Sequence, residues 1–152
     1  MEDRIETDEL AELIGKKLAV LEQLRGLSRR QSDLIADGDI QRLLGVLSAK
    51  QTLLVELQKL QQLLEPFRKQ DPDARRWRTP HDRQRCRQAA ERCEALLSEI
   101  MLIERQSEVE MAQRRDAAQA RLEECHSCAE ATRAYLRPAA ALRGNIDLSS
   151  DT

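Results

Sequence analysis

Leucine and other apolar residues recur along this chain in columns seven residues apart, and three stretches carry them. From Leu10 the columns are Leu13, Val20, Leu27 and Leu34, then Ile14, Leu21 and Ile35, then Leu10 and Leu24. Three columns per heptad make a stripe broad enough to face two neighbours, whereas a two-stranded coiled coil uses only two. Ser28 interrupts the second column, and Lys17 and Gln31 stand in the third. Gly15 and Gly26 lie inside this stretch at about 1 kcal/mol each relative to Ala, which mild tolerance or close approach of a neighbouring helix would explain. The pattern predicts a first helix over residues 7–36. A second, over residues 40–66, repeats it as Ile40, Leu47, Leu54, then Leu43, Leu57, Leu64, then Val46, Leu53, Leu60, Phe67. Lys50, Gln51, Gln58 and Gln61 mark its wetter side. Between the two, Gly38 can take the left-handed conformation past a helix end, and Asp39 can accept the free amides of the next turn. So short a connection makes the helices antiparallel neighbours. Their leucines read as the scaffold's own core, sufficient to satisfy itself.

Pro66 predicts an end or a kink, because it lacks an amide and disfavours helix at Glu65. Residues 67–79 read as a basic linker in which Asp71-Pro72 starts a single turn carrying Trp77. Trp77 is expected to cap the end of the bundle, with anchoring of a partner as the alternative. Thr79-Pro80-His81-Asp82 combines a capping Thr, proline at the first helical position and an acid three residues after the cap. It predicts a third helix over residues 80–136. Cys86, Ala90, Cys93, Leu97 and Ile100 stripe its first half, with Leu96, Met101, Leu102 and Ile103 crowding the middle. The stripe thins after Glu104 and resumes as a sparse, small-sided one. Its residues, Val109, Met111, Ala118, Leu122, Cys125, Ala129, Tyr135 and Leu136, are the candidate partner-binding set, since such a face invites completion by a helix from another protein. Residues 137–152 lack a sustained pattern and are expected to be a disordered tail. The fold class is thus all-α, an antiparallel helical hairpin plus a long third helix in a coiled-coil-like three-helix bundle, with no sheet and a single domain over residues 1–136.

Composition narrows the function more than it names it. Charged residues are 34% of the 152 and aromatics 2%, which suits long packed helices filled by aliphatic side chains. The net charge of −2 argues against a general nucleic-acid binder. Its distribution is uneven. Residues 1–12 are acidic, whereas residues 68–92 are basic through Arg68, Lys69, Arg75, Arg76, Arg78, Arg83, Arg85, Arg87 and Arg92. A solvated linker and helix start explain that run; an anionic partner surface is the sharper reading. No apolar run is long enough to span a bilayer, and the acidic N-terminus is unlike a signal peptide, so a cytoplasmic protein is expected. The four cysteines would then be reduced thiols.

Cys125-His126-Ser127-Cys128 is the one chemical motif. A redox pair of the thioredoxin kind needs a βα context, and structural zinc needs four ligands, whereas Cys86 and Cys93 have helical seven-residue spacing. Helix thiols are the expectation, ahead of zinc or redox work. His81 reads as a solvated or capping residue. No nucleophile triad, phosphate loop or dinucleotide fingerprint occurs, so neither catalysis nor a cofactor or metal is expected.

Residues 29–44, with the turn Asp37-Gly38-Asp39, followed by residues 47–57 with Lys50 ahead of the paired Leu53 and Leu54, resemble the FlgN family of flagellar export chaperones. The looser resemblance covers residues 10–136. It implies an all-helical cytoplasmic protein that binds hook-associated (hook-filament junction) proteins before type III export, with the export apparatus as a further partner. It also implies that the client-binding part of the third helix lies at about residues 109–136. Arg137-Pro138 after Tyr135, where the family commonly has glycine, the Arg-rich segment around Trp77 and the four cysteines depart from the pattern. The competing reading is a structural coiled-coil protein that forms a homodimer through its third helix.

Overall fold

The starts of the three helices and the end of the first are set by local devices that the sequence carries. We describe a computed structural model, which defines the backbone of residues 3–149 and the side chains of residues 3–137. Asp8 reaches back from the first turn of α1 (Glu6–Asp37) to accept the Ile5 amide at 3.0 Å. At the other end Gly38 takes φ 72°, ψ 20°, and the Gly38 and Asp39 amides close onto the Ile35 and Leu34 carbonyls. Asp39 then caps α2 (Ile40–Arg68) by accepting the Arg42 amide at 3.2 Å. Asp71 opens a short 3₁₀ turn, Pro72–Ala74, and the Thr79 hydroxyl accepts the Asp82 amide at 3.1 Å at the start of α3 (Pro80–Ser149). Among the described residues there is no strand.

The single domain expected over residues 1–136 divides by its contacts into two compact units, Met1–Glu110 and Met111–Thr152. The reason is burial, because among the described residues no side chain after Ser107 is buried. In the first unit the α1–α2 hairpin is antiparallel, and the α3 segment runs alongside α1 in the same direction. The cross-links show the register: Arg78 with Asp8, the Cys93 thiol with the Ile14 carbonyl, Arg25 and Arg29 with Glu99, and Ser28 and Gln31 with Glu104. This is a three-helix bundle.

Its core falls into two apolar clusters. The larger includes Leu10, Leu21, Leu60, Phe67, Cys86, Leu96 and Ile100, with Trp77 packed against it. The smaller, beside the Gly38 turn, is Leu34, Ile35, Leu43 and Val46 with Leu27 against it. Between them lie the buried polar side chains of Ser28, Gln31 and Lys50.

Two expectations about the hairpin are corrected. The column Ile40, Leu47, Leu54 is exposed, as are Leu44, Val55 and Leu63, so the hairpin does not satisfy its own leucines. The neighbours of α2 meet one face, that of Leu43, Val46, Leu57, Leu60 and Leu64, and at about 100° per residue the outer column turns away from it. Conversely Lys50, expected on the wetter side of α2, is buried, and so is Gln31 opposite it on α1.

Pro66 and Pro138 both fall within helices. At Pro66, Phe67 keeps its place in the core, and α2 ends only one residue later. Helix also runs through residues 138–149, where a disordered tail was expected; Ala139, Ala140, Ala141, Leu142 and Arg143 are strong helix formers. Residues 150–152 lie outside the described residues.

A Cβ placed on Gly15, Gly26 or Gly45 meets nothing within 4 Å, so none serves close helix approach. Gly26→Ala is therefore expected to stabilise the first unit by about 0.5–1 kcal/mol, read as a higher denaturant midpoint with an unchanged slope.

Candidate partner-binding surfaces

The second unit presents most of the sequence-derived site. Met111, Ala118, Leu122, Cys125, Ala129 and Leu136 recur at spacings of three, four or seven, so the helix aligns them on one face. All six are exposed, Leu122 at 70%. Tyr135, 82% exposed, lies about 100° around the helix from Leu136 and flanks that face. Val109 is also exposed but belongs to the first unit. Six of the eight residues therefore form one line, and two do not. Arg133, Arg121 and the pair Arg115–Asp116 add charge around it, and His126 approaches Glu130 at 3.1 Å.

The four thiols divide cleanly. Cys86 and Cys93 are buried in the larger cluster, and burial pushes both thiols above their ordinary range, with the nearby Arg75 and Lys17 charges only partly opposing it. Cys125 and Cys128 are exposed. An aromatic disulfide reagent is expected to modify these two rapidly and the buried pair only on unfolding; four equally fast thiols would contradict the packing. Among the described residues no three His, Cys, Asp or Glu side chains are grouped to hold a metal ion. No described helix is long and apolar enough to cross a membrane.

Sequence reasoning missed two features of the first unit. One is the exposed apolar face of α2. A signal for it was present, because apolar residues spread over most of the α2 circumference cannot all be covered by two neighbours. The other is the polar layer. Lys50 Nζ donates to Gln31 Oε1 at 2.6 Å and also bonds Glu104; Ser28 Oγ donates to Glu104 Oε1 at 2.8 Å, and Gln31 Nε2 to Glu104 Oε2 at 3.4 Å. Burial alone would push the Glu104 carboxyl up, but the Lys50 and Ser28 hydrogen bonds and the Lys50 charge together hold it below its usual range. No column pattern reveals four polar residues from three helices meeting.

The acidic N-terminus and the basic linker are partners of each other. Arg78 forks onto Asp8 at 2.8–3.1 Å and donates to the Asp3 carbonyl at 2.6 Å, while the Thr7 hydroxyl donates to the Arg76 carbonyl at 2.6 Å. The Arg78 bonds, with the Ile5 amide, lower the Asp8 carboxyl, and Lys16 and Arg4 do the same for Glu12. Glu99 is raised by burial but lowered more by Arg29 and Arg25.

Comparison with protein-family models, curated proteins and solved structures found no match to this chain.

Proposed function

We propose that this protein is an export chaperone of the FlgN kind, which holds a hook-associated protein in the cytoplasm before secretion. The observation that carries the reading is the exposed face from Met111 to Leu136, an amphipathic helix with no side chain buried among the described residues of its unit. A client segment that is unfolded until assembly would lay its own apolar residues along that face and fold as it binds, which sets a moderate affinity. The all-helical first unit supports the reading as a scaffold.

Co-expression with the C-terminal segments of the host's hook-associated proteins tests it. One of them is expected to co-purify, and Leu122→Asp is expected to weaken that complex at least tenfold while far-ultraviolet circular dichroism stays unchanged. Failure of every segment to co-purify removes the reading. The three- and four-residue spacing also favours a second function, pairing of this face with a second copy. A tight dimer by light scattering, lost in Leu122→Asp, would select that reading.

A further inference from the structure

A groove on the first unit, separate from the proposed client face, joins apolar depth to a basic rim. Two cavities of about 240 and 460 Å³ share Leu10, Ile14, Arg75 and Ala90, so they are adjoining halves of one cleft. Phe67 and Cys93 deepen one half, and Trp77 walls the other. Five cations line the cleft against two carboxylates, in a chain whose net charge is −2. Three of the cations are held only loosely. Arg68–Glu65, Arg83–Asp73 and Arg87–Glu91 are exposed pairs at 3.4–3.7 Å, which exchange readily for other carboxylates. At the centre, Arg75 donates one N–H to the Phe67 carbonyl at 2.6 Å, while its Nε–H is buried with no acceptor.

We propose that this groove docks an acidic amphipathic segment of a partner protein, with apolar side chains in the two cavities and Asp or Glu on the Arg75, Arg83 and Arg87 guanidinium groups. A carboxylate is the acceptor that matches a guanidinium with unspent donors. The recessed apolar floor separates this occupant from others of the same charge. A bilayer surface has no side chains to insert into cavities. A nucleic-acid backbone would leave the floor unfilled, and Trp77 alone offers no run of aromatics on which bases stack.

Trp77 is the only tryptophan in the chain and lines the groove, so its emission reports occupancy. The intact protein is titrated with an acidic peptide of about 15 residues, Leu on one helical face and Glu on the flanks, and with its isomer bearing Lys in place of Glu. The acidic peptide is expected to give a saturable shift that added salt weakens, and the Lys isomer none. Arg83→Glu/Arg87→Glu, at exposed positions, is expected to raise the dissociation constant at least tenfold with helicity unchanged. Arg68→Glu, from α2, is expected to weaken binding in the same direction. Absence of a saturable shift, equal binding of the Lys isomer, or native affinity in these variants overturns the proposal. So does tighter binding of oligothymidylate or of phosphatidylglycerol vesicles than of the acidic peptide.

Discussion

Glu104→Leu is expected to destabilise the first unit by about 2–4 kcal/mol, while Lys50→Leu costs about 1 kcal/mol or less. The asymmetry follows from what each change leaves behind. Without Glu104, the Lys50 ammonium remains buried with Gln31 as an acceptor and no counter-charge in the layer. Without Lys50, Glu104 keeps Ser28 and Gln31 as donors, and its side chain is 36% exposed, so water can complete its solvation. That exposure is why the larger cost is set below the usual range for an opened buried pair. Lys50→Leu/Glu104→Leu together should recover most of the loss, because both charges leave at once. Denaturant unfolding of the three variants measures the set; a double variant no better than Glu104→Leu would show that the cost lies in packing.

The same layer sets part of the acid response. The folded Glu104 carboxyl titrates below its ordinary value of 4.5, so its contribution is complete above that pH and is lost as pH falls through the folded value. Asp8, Glu12 and Glu99 shift in the same direction from the surface. Native protein should therefore lose stability below about pH 4.5, and Glu104→Gln should flatten that loss without abolishing it.

Leu96→Ala and Leu21→Ala are expected to cost about 3 kcal/mol each, whereas Leu54→Ala should stay within about 0.5 kcal/mol. Leu21 and Leu96 are both 0% exposed, and truncating either leaves a cavity between three packed helices. Leu54 is exposed, and its loss opens no cavity. Midpoints from the same unfolding experiments compare them. If Leu54→Ala proved as costly as Leu96→Ala, the outer face of α2 would have to be covered in solution, and the difference would then vary with protein concentration.

The leucines show how far the chain could be read in advance. Leu21 and Leu54 stand in columns of the same kind, and no local feature distinguishes them. Which one is buried depends on where the other helices lie. The candidate line from Met111 to Leu136 was readable because it needs only the periodicity of one helix, and by that same periodicity Tyr135 falls about 100° off the line. The groove around Arg75 was visible only as a run of arginines, because its floor comes from Leu10, Ile14 and Phe67, distant in sequence.

By itself the sequence determined the all-helical class, the Gly38 turn, the caps at Asp39 and Thr79, and the antiparallel hairpin. These are local matters of backbone conformation and amide satisfaction within a few residues. Only the tertiary structure decided that Ser28, Gln31, Lys50 and Glu104 meet between two apolar clusters, that the outer leucines of α2 stay exposed, and that a basic-rimmed cleft opens beside Trp77. Each of those depends on residues far apart in sequence being brought together, and a helix's own periodicity says which residues share a face without saying what that face will meet.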